Sequence, residues 1–104
     1  MIMPNPNFIA FNHVGEDYGF FTVIGRITLP RPHTRAVLSR PSVPPCDGGD
    51  REVLELTFED TGSTHEETAE RFVYFSEPGI SHKTRVEIRC ETGDQWAPIF
   101  DRFV

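Results

Sequence analysis

Apolar and polar residues alternate with a period of two along much of this chain, which is the pattern of strands buried on one face. In "TRVEIRCE", for example, Val86, Ile88 and Cys90 alternate with charged residues. The pattern predicts strands in "NFIAFNHV", "YGFFTVIGRITL", "RAVLS", "REVLELTFE", "RFVYFS", "TRVEIRCE" and "WAPIFDRFV". Turn signals such as "CDGGD", "SEPG" and "ETGD" separate them. We therefore predict an all-β fold, an antiparallel sandwich or partly open barrel of six to seven short strands.

Local details of three strands carry further predictions. "RFVYFS" is apolar on both faces, which favours an interior strand. Gly25 lies in the middle of an apolar face, where a glycine is typical of a bulge or sharp bend. Pro98 indicates an edge or interrupted strand because proline cannot donate to a ladder. Two interpretations of the apolar residues in that last strand remain open: they close the core, which we favour, or some of them form an exposed apolar patch for a partner. These residues are Trp96, Ile99, Phe100 and Phe103.

One short helix is predicted in a loop, over "STHEETAER", residues 63–71. Ser63 or Thr64 can provide the N-cap, with Glu66 or Glu67 respectively closing a capping box three positions later. "HEETAE" resembles a zinc-protease helix only in part, because Ala69 stands where the second histidine ligand is needed. We therefore predict a capped surface helix and no metal site.

The length and composition indicate one soluble domain over residues 1–104. Hydrophobic residues make up 38% of the chain and include nine phenylalanines, too many for a disordered protein. No apolar run is long enough for a membrane helix, and the N-terminus lacks the pattern of a secretory signal, so we predict a cytoplasmic protein without membrane contact. Cys46 and Cys90 do not form a disulfide framework and are predicted to be reduced.

Motifs for catalysis are missing from the sequence. There is no glycine-rich phosphate loop, and no spacing pairs either cysteine with a particular histidine. We predict a protein that is not an enzyme and uses no cofactor.

Charge is segregated along the chain, whose formal net charge is −6. Residues 47–104 carry fourteen acidic and six basic side chains. No acidic residue occurs between Tyr18 and Cys46, a stretch that contains Arg26, Arg31, Arg35 and Arg40.

Three interpretations of this basic stretch remain open. In the first, Arg26 or Arg35 forms cross-strand ion pairs with Glu55 or Glu59, so that folding neutralises the stretch. In the second, the stretch binds an anion, because the arginine fork suits phosphates and carboxylates. The candidate anion-binding residues are Arg31, His33, Arg35 and Arg40. In the third, the acidic remainder of the chain is the functional surface.

The size, acidity and absence of catalytic motifs favour a small non-catalytic protein that binds another macromolecule. An inhibitor, an immunity protein or an accessory subunit of bacterial or phage origin fits this description. The expected partner is a protein with a basic surface, since a net charge of −6 opposes nucleic-acid binding. The candidate partner-binding residues are Asp60, Glu66, Glu67 and Glu70.

The alternative function is a small-ligand or anion-binding barrel, or a diverged enzyme, that uses residues 31–40. The sequence is also compatible with a homodimer formed by an unpaired edge strand.

Overall fold

The computed structural model describes residues 7–29, 34–42, 49–60, 70–91 and 93–103, which contain seven strands and no helix. The strands are β1 (Phe8–Val14), β2 (Gly19–Thr28), β3 (Thr34–Ser39), β4 (Arg51–Asp60), β5 (Glu70–Pro78), β6 (Arg85–Cys90) and β7 (Gln95–Phe103). Each coincides with one of the seven segments predicted from the period-two pattern. The all-β prediction is therefore confirmed. None of the described residues forms a helix that could cross a membrane.

The seven strands form one sheet in the order β3-β4-β6-β7-β1-β2-β5. This sheet curves into a nearly closed barrel, because the two terminal strands, β3 and β5, lie against each other without a hydrogen-bonded ladder. We call this junction the seam. The predicted purely antiparallel sheet is wrong, because β1 pairs with β7 and β4 pairs with β6 in parallel. Parallel pairs need long crossover connections, which leave no trace in a local pattern.

Strand β7 joins the two halves of the barrel and changes partner at Pro98. Residues Gln95 to Pro98 pair with β6, and residues Ile99 to Phe103 pair with β1. Hydrogen bonding on the β6 side continues one residue past the proline, because the Ile99 N–H donates to the carbonyl of Thr84 at 3.0 Å. The prediction of an edge or interrupted strand is wrong, because β7 runs without a break from Gln95 to Phe103 and lies inside the sheet order.

Strand β5 is the last strand in the order, so the prediction that "RFVYFS" is an interior strand is wrong. Val73 faces the core, but Phe72 and Tyr74 are exposed on the outside. Phe100 and Phe103 of β7 are also exposed, against the prediction that they close the core. The core instead comprises Phe8, Ala10, Phe21, Val23, Leu38, Leu54, Leu56, Val73, Val86, Ile88 and Ala97.

Gly25 does not form the predicted bulge. The registers of β2 with β1 and with β5 pass through it without an inserted residue, and its direct partner on β1 is Phe8. A Cβ atom at Gly25 would lie 2.3 Å from a carbon of the Phe8 ring. Glycine is therefore required because the aromatic ring occupies the space of a side chain.

The predicted helix over residues 63–71 is wrong at its C-terminal end. Glu70 and Arg71 belong to β5 and pair with Thr28 and Ile27 of β2, so the ladder holds them in extended conformation. The preceding residues, 63–69, lie outside the described part of the chain.

Odd-numbered strands all run in one direction around the barrel, and even-numbered strands run in the opposite direction. The connections β2–β3, β4–β5 and β6–β7 therefore emerge at one end. We call it the Glu70 end, because β4 ends there at Asp60 and β5 begins there at Glu70. At the opposite end β3 stops just before Arg40, and we call it the Arg40 end.

Candidate functional site

Arg40 joins strands across the seam. Its Nη1 donates a hydrogen bond of 2.9 Å to Oε1 of Glu52 on β4. Its Nε and Nη2 both donate to the carboxylate of Glu77 on β5, with 3.3 Å between Nε and Oε2. The guanidinium carbon also lies 5.8 Å from the ring centre of Phe21 and 5.6 Å from that of Phe75. One side chain thus links β3 to β5 where no backbone ladder exists.

Ionisation in this cluster follows from its contacts. Burial raises the pKa of Glu52, but hydrogen bonds from Ser81 and Arg40 and the charges of Arg40 and Lys83 outweigh it, so the pKa of Glu52 lies below its ordinary value. Burial lowers the pKa of Arg40, because it too disfavours the charged form. The carboxylates of Glu77 and Glu52 outweigh burial, so the pKa of Arg40 lies above its ordinary value. Glu52 is therefore a carboxylate at neutral pH.

Asn12 completes a polar network at the Arg40 end. Its Nδ2 donates hydrogen bonds of 2.8 Å to the carbonyl of Ser81 and to Oδ1 of Asp101. Its Oδ1 accepts the N–H of Ser81 at 2.7 Å, and the Ser81 hydroxyl donates to Glu52. Because these groups bond to one another, we interpret the Arg40 end as a structural closure of the barrel.

Arg35 forms one of the cross-strand ion pairs that were predicted to neutralise the basic stretch. This residue lies directly opposite Glu59 in the β3–β4 ladder, and its Nη2 is 2.5 Å from the Glu59 Oε2. Arg26, in contrast, makes no ion pair with a carboxylate of the described residues.

The candidate anion site is only partly described. Arg35 and Arg40 both bond to carboxylates of this chain, and they sit towards opposite ends of β3. Arg31 and His33 lie outside the described residues, so the four-residue site remains a prediction.

Two of the four candidate partner-binding residues, Asp60 and Glu70, lie at the Glu70 end. Asp60 pairs with Thr34, and Glu70 pairs with Thr28. Both acids are exposed and bracket the β4–β5 connection. Glu66 and Glu67 belong to that connection and lie outside the described residues.

An open groove of about 420 Å³ lies at this same end. Leu56 and Phe58 supply its apolar part, and the Asp94 carboxylate accepts the N–H of Cys90 at 3.2 Å in the adjoining turn. A smaller cavity of about 160 Å³ lies at the barrel mouth. It shares Leu56, Phe58 and Cys90 with the groove. The charged lining residues of the groove are Glu55, Arg89, Glu91 and Asp94, and those of the smaller cavity are Arg26 and Glu70.

Among the described residues, ion pairs balance only part of the negative charge at the Glu70 end. Four carboxylates at this end or along the groove make no ion pair with any base in the described part of the chain: Glu55, Asp60, Glu70 and Asp94. Asp60 and Glu70 were predicted from the sequence as partner-binding residues, whereas Glu55 and Asp94 were not. Only the alternating strand direction brings the β6–β7 turn to the same end as the β4–β5 connection.

Glu87 is a charged residue that the sequence pattern misassigned to an exposed face. It points away from the core between Val86 and Ile88 but is only 6% exposed. Its Oε2 lies 3.6 Å from the Nε of Arg51 and 3.5 Å from the Nε of Arg89. We interpret this group as internal charge compensation on the outside of the β4–β6 pair.

A second surface, the outer apolar face, covers the outside of β7, β1, β2 and β5. Phe72 is 78% exposed, Tyr74 65%, Phe100 59% and Ile9 57%. We define the face as Ile9, Phe11, Phe20, Ile24, Phe72, Tyr74 and Phe100, none of which is charged. The sequence pattern indicated only the part of this face at Phe100, as the less favoured alternative, and predicted an interior strand for Phe72 and Tyr74.

Comparison of this chain with models of protein families, with curated proteins and with solved structures gave no match. No group of three or more His, Cys, Asp or Glu side chains in the described ranges is placed to hold a metal ion. The function is therefore inferred from the geometry of this chain alone.

Proposed function

We propose that this chain is a small non-catalytic protein that binds a basic surface of another protein through its Glu70 end. The observation that carries the proposal is the unbalanced negative charge there. Arg35 and Arg40 are engaged by Glu59, Glu52 and Glu77, so they do not neutralise the remaining carboxylates. Inhibitors, immunity proteins and accessory subunits, of bacterial or phage origin, are the classes that this size and acidity favour.

The groove provides a physical means of recognition. An arginine or lysine of the partner can lay its aliphatic stem on Leu56 and Phe58 while its charged head meets Glu55 or Asp94. Carboxylates around the barrel mouth, such as Glu70, would accelerate encounter and reject acidic partners more than they would raise affinity.

The alternative, a small-ligand or anion-binding barrel, has one observation in its favour. Arg26 lines the cavity at the barrel mouth and makes no ion pair with the described carboxylates. Glu70 lines the same cavity, however, and its negative charge opposes an anion. Since Arg35 and Arg40 are also engaged by carboxylates, we favour the protein partner.

The test is a capture experiment with a matched control. The variant Asp60→Lys/Glu70→Lys reverses two charges at the Glu70 end. The control Glu16→Lys/Asp17→Lys makes the same charge change in the exposed β1–β2 turn, at the Arg40 end. Tagged proteins capture partners from nuclease-treated lysate of the source organism, and binding is then measured again with the purified captured protein. We expect the first variant to weaken binding at least tenfold and the control to bind within about twofold.

Equal binding by both variants would overturn the assignment to the Glu70 end. Failure to capture any protein would contradict the proposed function. In that case, chemical-shift changes at Arg26, Arg35 or Arg40 on addition of inorganic phosphate would favour the anion-binding alternative.

A further inference from the structure

We propose that the outer apolar face binds a second copy of this chain in a two-fold symmetric dimer. The face is continuous across four strands. Ile24 lies directly between Ile9 of β1 and Tyr74 of β5, and Phe11 lies directly beside Phe100 of β7. Four adjacent strands therefore present large apolar side chains to solvent without an intervening charge.

The exposed apolar area is large enough for the centre of a stable interface. With about 200 Å² for each large side chain, the exposed fractions of the five most exposed members give roughly 600 Å². These five are Ile9, Phe20, Phe72, Tyr74 and Phe100. That is at the upper limit of about 300–600 Å² for the largest apolar patch of a typical monomer. A rim of polar neighbours would bring it to the roughly 800 Å² that each partner of a standard interface buries.

The distribution of charge favours a second copy as the occupant. Two copies with a formal net charge of −6 repel each other, so they can associate only through a surface that keeps the carboxylates apart. The outer apolar face is such a surface, since charges occur only at its margins, as with Arg26 opposite Phe72 and Arg102 opposite His13. A basic partner, in contrast, would be selected by the Glu70 end and not by a neutral face.

The strand order makes edge pairing a poorer route to the dimer. The two terminal strands, β3 and β5, lie against each other at the seam, where Arg40 bonds to Glu77. An edge-to-edge dimer would first have to open the barrel. A face-to-face dimer leaves the barrel intact and uses the same patch on both copies, as two-fold symmetry requires.

The proposal is tested by the mass of the full-length chain in solution. Sedimentation equilibrium over a dilution series measures the mass of the wild-type protein, of Phe72→Ser/Tyr74→Ser and of the control Phe103→Ser. Phe103 is 75% exposed, similar to Phe72, but lies beyond the face at the Arg40 end of β7. We expect the wild type and the control to dimerise with similar dissociation constants. The double variant should dimerise at least tenfold more weakly and approach the monomer mass of 11.9 kDa.

The salt dependence of association distinguishes this dimer from the proposed partner complex. Screening should strengthen a dimer of two acidic copies and weaken binding of a basic partner.

A wild-type chain that stays monomeric at every concentration would overturn the dimer and leave the Glu70-end proposal standing. Equal loss of the dimer in Phe103→Ser and in the double variant would also overturn the assignment to this face. Should the double variant fail to fold by circular dichroism, concentration-dependent protection of Phe72 and Tyr74 amides from hydrogen exchange in the wild type decides the question.

Discussion

At the scale of single residues, Arg40 has the most consequential contacts in the described structure. It bonds to two carboxylates on different strands and stacks on two aromatic rings of the core. Arg35, only five residues earlier, makes one exposed pair with Glu59. The two arginines come from the same basic stretch and look equivalent in the sequence, but they differ in how far they are withdrawn from water.

Replacing Arg40 should therefore destabilise the fold far more than replacing Arg35. We expect Arg40→Ala to cost about 2 kcal/mol, because it removes charged hydrogen bonds and leaves the partly buried Glu52 without its arginine. A loss of this size corresponds to a fall of about 10 °C in the melting temperature. Arg35→Ala should cost no more than about 0.5 kcal/mol. Urea unfolding of both variants measures the difference, and equal losses would show that Arg40 does not secure the seam.

At the scale of strands, the pair β1–β2 depends on a single close contact. Phe8 and Gly25 are direct cross-strand partners, and the ring of Phe8 covers the glycine. Register is thereby specified, because a shift by one residue would place a side chain under the ring.

We expect Gly25→Ala to destabilise the protein by about 1–3 kcal/mol, since the new methyl group overlaps the Phe8 ring. Phe8→Leu should reduce that penalty by making room. The double variant should therefore lose less stability than the two single variants together. Thermal unfolding of the four proteins in the cycle measures the coupling, and strictly additive losses would contradict the close contact.

At the scale of the whole molecule, the two barrel ends differ in chemistry. The Arg40 end is closed by a network in which carboxylates, amide and hydroxyl groups bond to one another. The Glu70 end carries a groove with both apolar and charged lining residues, and carboxylates without ion pairs among the described bases. The Arg40 end thus contributes to stability, and the Glu70 end is the one that we propose for binding.

Acid should unfold the protein partly by releasing the Arg40 end. The folded-state pKa of Glu52 lies below its unfolded value of about 4.3, so its contribution is complete above that pH and is lost as pH falls through the folded pKa. We expect a nearly constant melting temperature from about pH 7 to 5 and a decline below about pH 4. Glu52→Gln should melt lower at pH 7 but decline less in acid, whereas Glu16→Gln in the exposed turn should follow the wild type. A profile for Glu52→Gln parallel to the wild type would exclude this role for Glu52.

The sequence by itself determined the seven strands and the faces of most of them, because side-chain alternation is local. The pairing of Arg35 with Glu59 also followed from strands that are close in sequence. Only the tertiary structure decided the parallel pairs, the seam and the surface position of Phe72 and Phe100. These depend on which strands become neighbours, and that choice is made by contacts between distant residues that no local pattern records.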